Sequence, residues 1–311
     1  MNYLKLSDQI QNFIKKNWSN ISQYRKDHLA IRVLRTSHNN TFFMEYMADF
    51  DNRTHLENKI IRKAIKEGGN KYTQNLTKKG RYKHVSKKKR LFLEQNPLYL
   101  PINNYIWTIY SRYQTNLEIQ NYHVDYAERD YIKKLYPQLI DIYASRILNN
   151  IFCLNDVLHY DFKRLKLKSC NLLVQKINEF PWTKKNFVNN FYFLTHILIN
   201  KSLFYTKYIP SNYLEINWGL TLNLIFKQIN SSDLAKITKI DMIAEIIICL
   251  HLLKIKIKKQ YFKQLNELIN EINTDLFITK NAHTYSILLL INYIYYNLNS
   301  DEKIPFYKIK I

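Results

Sequence analysis

Three stretches of this sequence are apolar on nearly every side of a helix: FVNNFYFLTHILINKSLF over 187–204, DMIAEIIICLHLL over 241–253 and NAHTYSILLLINYIYY over 281–296. A helix without a polar face has to lie inside a protein. Each of these carries a lone titratable group: His196 beside Thr195 in the first, Glu245 in the second and His283 near the start of the third. The chain is therefore expected to fold around interior helices, with 187–204 as the organising centre and a candidate pocket where the three polar groups meet.

The remaining text supplies the partners such helices need. Only 4 glycines and 6 prolines punctuate 311 residues, too few for the turns of a β sandwich or for the Gly-rich phosphate loops of a doubly wound sheet. Helical periodicity recurs instead, as in Tyr105, Ile106, Ile109, Tyr110 and Tyr113 on one inner face. Buried and amphipathic helices alternate, the pattern that two concentric helical layers would write. The expected fold is all-α, an (α/α) toroid-like stack of antiparallel helical hairpins forming a single domain over 1–311. Gly68-Gly69-Asn70 should end a helix begun near His55. A basic loop or insertion is expected over 71–90, and an extended passage between Pro97 and Pro101. Asn155 or Asp156 should cap a helix running to Phe180. Pro210-Ser211-Asn212 should open another, and Ser231-Ser232-Asp233 should cap the Glu245 helix.

Four segments, YRKDHLAIRVLRTSHNNTFF, FYFLTHILI, DMIAEIIICLHLL and NAHTYSILLL, together resemble a bacterial family of unknown function with the look of a partial (α/α) toroid. A Thr-His pair, an Ala-Glu pair and a late His-Thr pair recur there in that order. The wider toroid architecture includes glycoside-processing enzymes, terpene cyclases and peptide cyclases, so the resemblance implies a fold without choosing a reaction. The paired carboxylates of toroid glycosidases, the aspartate-rich repeat of terpene cyclases and the Cys/His zinc set of peptide cyclases are not matched.

His196, Glu245 and His283 are the candidate catalytic residues. Burial raises a carboxyl pKa and lowers that of an imidazole, which suits both to acid–base work near neutrality. Two imidazoles and a carboxylate would also hold a divalent metal, although no metal or cofactor is specified by these residues. Structural satisfaction of each group ranks first, acid–base or binding use second, and a metal third. His28, Arg32 and Arg35 share one side of a helix and could clamp a carboxylate or phosphate, with surface salt bridging as the plainer use. Asp125 and Glu128 are an i,i+3 pair and further ligand-binding candidates, or simply a helix start. Cys249, one turn after Glu245, reads as a core cysteine. No GxSxG, HExxH, P-loop or dinucleotide fingerprint is present.

The net charge of +22 is uneven: the first 90 residues hold 21 Lys and Arg against 7 Asp and Glu, so +14 sits there. Lys78, Lys79, Arg81, Lys87, Lys88, Lys89 and Arg90 form its densest part. Two functions are therefore carried forward. In the leading one, a central cavity binds, and by extension processes, a small molecule, sugar or peptide segment. In the alternative, a non-enzymatic protein docks its basic face on nucleic acid or an acidic protein partner. Cys153, Cys170 and Cys249 are widely spaced in apolar text and read as reduced core residues. No long uninterrupted apolar run is present, so no transmembrane segment and a cytoplasmic setting are expected.

Overall fold

The computed structural model describes residues 10–12, 14–21, 23–36, 40–78, 87–139, 144–271, 282–297 and 305–306. Among them the chain is all-α, with no strand. After a short 3-10 turn at Trp18–Asn20 come α1 (Gln23–Thr36), α2 (Thr41–Ala48), α3 (Phe50–Lys66), α4 (Asn70–Lys78), α5 (Lys87–Gln95), α6 (Tyr99–Gln114) and α7 (Tyr126–Leu139). Then follow α8 (Ala144–Phe152), α9 (Lys163–Asn178), α10 (Lys184–Lys201), α11 (Trp218–Ser231), α12 (Lys236–Leu252), α13 (Lys259–Asn270) and α14 (Ala282–Tyr296). No helix of the described chain is long and apolar enough to cross a membrane.

The chain divides into two compact units, one from 1–47 with 167–310 and the other from 48–166. In the first, α12 is the hub: it packs against α10, α11, α13 and α14, and α14 packs in turn against α1. Its interior is Ile240, Met242, Ile243, Ala244 and the run Ile246–Leu250, all buried. Each fully buried isoleucine contributes about 2 kcal/mol, which holds in place a helix that also carries two carboxylates. The hub is thus the Glu245 helix rather than the 187–204 stretch, because α10 keeps a partly open side at Asn189, Tyr192 and His196 and α12 has almost none.

In the second unit the central helix is α6, which packs on α3, α4 and α8 and buries polar Asn103, Asn104 and Arg112 along with its apolar face. Pro101 lies inside its first turn, not in an extended passage, since a proline there forfeits no intrahelical donor. Gly68 and Gly69 close α3 as expected: Gly69 N–H donates to Ala64 O at 2.8 Å and Gly68 N–H to Ile65 O at 3.0 Å, both residues with φ +76°. The region read as a basic loop over 71–90 is helical at both ends, in α4 and α5. Its buried face is made by Thr73 and Thr77, whose hydroxyls donate to Pro97 O and Thr73 O, so it shows no apolar periodicity.

Three helix starts differ from expectation. Asn155 and Asp156 sit in a π-helical turn that prolongs α8, and α9 begins only at Lys163. Asn217, not the 210–212 triplet, caps α11 by accepting from Leu220 N–H at 3.1 Å. Ala235 occupies the cap position of α12, which has no side-chain cap.

Candidate functional site

Asp241 and Glu245 stand one turn apart on α12, so their side chains share a face, and both are buried, at 5% and 2% exposure. Buried carboxylates need donors. Tyr192 of α10 donates its hydroxyl to Asp241 Oδ2 at 2.5 Å, and Thr284 of α14 donates to Oδ1 at 2.9 Å. Thr195 donates to Glu245 Oε2 at 2.5 Å. Over the two carboxylates lies His283, whose Nε2 is 3.8 Å from Asp241 Oδ1 and 3.9 Å from Glu245 Oε1. Those gaps exceed a hydrogen bond and suit one intervening polar atom. The His283 side chain is 47% exposed, which makes it the most open member of a cluster whose other groups are buried or partly buried.

Arg32 of α1 holds the imidazole from behind. Its Nη1 lies 3.2 Å from His283 Nδ1 and also donates to Ser286 Oγ, while Ser286 donates to His283 O at 2.6 Å. The ring of His28 stacks on that of His283, centroids 5.9 Å apart and planes within 13°, and meets Phe204 edge-on at 6.4 Å. Phe204 lies in a left-handed turn, Leu203, Phe204 and Tyr205 having φ of 48°, 56° and 73°. Three consecutive non-glycine residues there are strained, and the strain turns two buried aromatic rings inward.

Proton affinities within the cluster are driven apart. Burial raises the Asp241 carboxyl above its ordinary value, against the pull of the His283 imidazole, and the neighbouring Glu245 adds to the rise. Burial also pushes Glu245 upward, but the nearby His283 and His196 imidazoles and the Thr195 hydroxyl outweigh it, and its net direction is down. His196 is lowered to about 4 by burial even though Glu245 pulls the other way. His28 falls well below its usual value through burial, with Arg32, His283 and His196 adding to the fall. Both imidazoles are therefore neutral at pH 7. The Tyr192 phenol is pushed far up by burial and by the two carboxylates, so it remains a donor.

His196, Glu245 and His283, singled out from sequence, thus belong to one cluster, joined by Asp241, Tyr192 and Thr284, which were not. The signal for Asp241 was its i,i+4 spacing to Glu245 inside an apolar helix. His28 and Arg32 belong here too. Arg32 and Arg35 are buried, at 3% and 0% exposure, which rules out surface salt bridging. Cys249 is a free, buried thiol, pushed well up by burial and by Glu245, in keeping with a core residue. Asp125 and Glu128 lie in the other unit, where Arg62 donates to both, at 2.6 and 2.5 Å. Glu128 Oε2 also accepts from Asp125 N–H at 3.1 Å, the return half of a capping box at the start of α7. Of the basic series, Lys79 and Arg81 lie outside the described residues. Lys88 and Lys89 fall within α5, and Lys78, Lys87 and Arg90 are exposed.

One ligand atom each from Asp241, Glu245 and His283 lie within 4.8 Å of one another, so these residues could hold a divalent cation. No protein-family model, curated protein or solved structure matches the chain.

Proposed function

We propose that the α12 cluster is an acid–base site that binds, and acts on, a small molecule bearing a hydroxyl or amine, entered past His283. One observation carries the reading: two buried carboxylates one turn apart, with proton affinities displaced in opposite directions, face a half-exposed imidazole across gaps of 3.8 and 3.9 Å. Pairs of titratable groups pushed apart in this way are how a site divides the roles of acid and base. Asp241 would keep the proton longer and act as donor, Glu245 would act as acceptor, and His283 would orient the ligand's polar atom between them. An (α/α)-toroid arrangement suits the proposal, since it gathers interior helices around a central cavity.

The test is a titration of the intact protein with monosaccharides, amino sugars and amino acids, followed by NMR of the histidine ring protons. Shifts at His283 that vanish in Glu245→Gln, with the helical spectrum retained, support the reading. A panel in which nothing moves these protons counts against it.

A second reading, a divalent-metal site, is favoured by the clustering of the three ligand atoms within 4.8 Å. Arg32 weighs against it: a guanidinium only donates, so Nδ1 accepts, Nε2 keeps its proton, and a metal would have to displace that proton. Calorimetric titration with Zn²⁺ and Mn²⁺ separates the two, a stoichiometric event lost in Asp241→Asn being the metal outcome.

A further inference from the structure

The unit formed by 48–166 contains a cleft of about 780 Å³, walled by α3, by Tyr105 and Arg112 of α6 and by the loop before α7, a size that suits a small ligand. Asn58 lines it. The residue is 4% exposed, and neither the amide nitrogen nor the amide oxygen has a hydrogen-bond partner. Buried amides are almost always paired, so a donor and an acceptor left side by side on a cleft wall point to a ligand that supplies the complementary pair.

Other polar groups of the wall are already engaged. Arg62 is neutralised by Asp125 and Glu128 and lies 5.0 Å over the Tyr105 ring. Arg112 pairs with Asp51 at 2.5 Å, donates to Thr54 at 2.7 Å and lies 4.7 Å over the Tyr122 ring. These are two guanidinium plates on tyrosine rings, held by carboxylates, and such plates are surfaces on which flat heterocycles stack. The cations left over share one face of α3 by their spacing: Lys59, Lys63 and Lys66. Lys63 reaches only Glu67, at 3.8 Å, and Lys59 and Lys66 form no ion pair among the described residues. At about 1.5 Å per residue, Lys63 and Lys66 stand roughly 8 to 12 Å along the axis from Asn58, a span that base, sugar and phosphate can bridge.

We propose that this cleft binds a mononucleotide, its base edge on the Asn58 amide, its base plane against an arginine–tyrosine plate and its phosphate on the lysines of α3. Paired donor and acceptor are what asparagine offers a base edge, and lysine meets phosphate as a point charge. The cleft belongs to the unit over 48–166 and the α12 cluster to the other unit, and Glu245→Gln should leave nucleotide binding unchanged.

Calorimetry of the intact protein with AMP, GMP, CMP and UMP, their nucleosides, inorganic phosphate and a single-stranded RNA hexamer tests this. At least one monophosphate is expected to bind one-to-one, roughly tenfold or more tighter than its nucleoside and than phosphate, an increment of about 1.4 kcal/mol. The exposed triple variant Lys59→Glu, Lys63→Glu, Lys66→Glu should weaken it at least about tenfold, and Asn58→Leu should abolish discrimination among bases. Should Asn58→Leu not fold, the lysine variant decides alone. The proposal is overturned if no monophosphate binds, if phosphate binds as well as the nucleotide, or if the lysine variant binds normally. A hexamer roughly tenfold tighter than every monophosphate, with a steep salt dependence, would overturn it in favour of a strand of nucleic acid.

Discussion

The Arg32 guanidinium donates to Nδ1 of His283 across 251 positions of sequence, at 3.2 Å. Because arginine stays protonated, this contact fixes which ring nitrogen holds the imidazole proton. Nε2–H is then directed at the Asp241 and Glu245 carboxylates.

Histidine side-chain nitrogen spectra at pH 7 should accordingly show His283 as the Nε2–H tautomer. In Arg32→Met the preference should relax, and the pKa of His28, which Arg32 helps depress, should rise. An Nδ1–H tautomer in the unaltered protein would contradict the contact.

Stability should fall in mild acid. His196 has a folded pKa of about 4 against an ordinary 6.5, so its contribution is complete above 6.5 and is lost as the pH falls toward 4, when the unfolded chain takes up a proton that the folded one refuses. The loss is up to about 3 kcal/mol, with His28 acting in the same direction. Urea titrations at pH 7 and pH 5 measure it, and His196→Gln should flatten the slope.

The two carboxylates should respond unequally to neutralisation. Asp241 has a raised pKa, so its contribution is greatest at low pH and declines as the pH climbs through the folded value; Asp241→Asn removes that decline. Glu245 is lowered, so its contribution is present above its ordinary value and lost in acid. At pH 7, Glu245→Gln should be about 1–2 kcal/mol more destabilising than Asp241→Asn, as read from denaturant midpoints.

Gly68 and Gly69 share φ +76° but not surroundings. A Cβ on Gly68 meets nothing within 4 Å, whereas one on Gly69 would stand 2.5 Å from Pro97 O and 2.8 Å from Pro97 C. Gly68→Ala should cost about 1 kcal/mol for the left-handed backbone, and Gly69→Ala at least about 2 kcal/mol more, since backbone must move. Thermal midpoints of the two variants give the comparison.

Arg62→Met should destabilise by about 2–3 kcal/mol, because it strands the buried Glu128 carboxylate, 7% exposed as a side chain. Adding Glu128→Gln should recover part of that loss. A double variant no better than the single one would mean that Arg62 acts by packing on Tyr105 and not by charge.

Apolar text carried much of this molecule plainly. Helices without a polar face had to be interior, and the lone polar group in each had to meet something there, which is why His196, Glu245 and His283 could be grouped from sequence. Asp241 escaped because it sits where an apolar run begins, and such a residue reads as a boundary when the helix in fact starts at Lys236. Arg32 and Arg35 were legible as a clamp but not as buried groups: α1 alternates charge with aliphatic residues as a surface helix would, and only packing against α14 shows the guanidinium groups inside. The threonine face of α4 and the buried asparagines of α6 follow the same logic, since hydroxyl and amide groups that find partners inside leave no trace in hydropathy. Asn58 is equally silent in hydropathy, although its buried amide has no partner.

Between Arg32 and His283 the chain makes a complete detour, the unit over 48–166. On a ribosome that unit can collapse early from its own local contacts, while the α12 cluster waits for α14 to be synthesised. Until then the isoleucines of α12 that α14 covers are bare, and the carboxylates lack both His283 and Thr284. A polypeptide halted before residue 282 should therefore lack the completed cluster and be prone to cling to chaperones or to itself, which pelleting of such a product would reveal. Assembly order thus acts as a safeguard: only a chain read through α14 can bring His283 and Thr284 to the two carboxylates of α12.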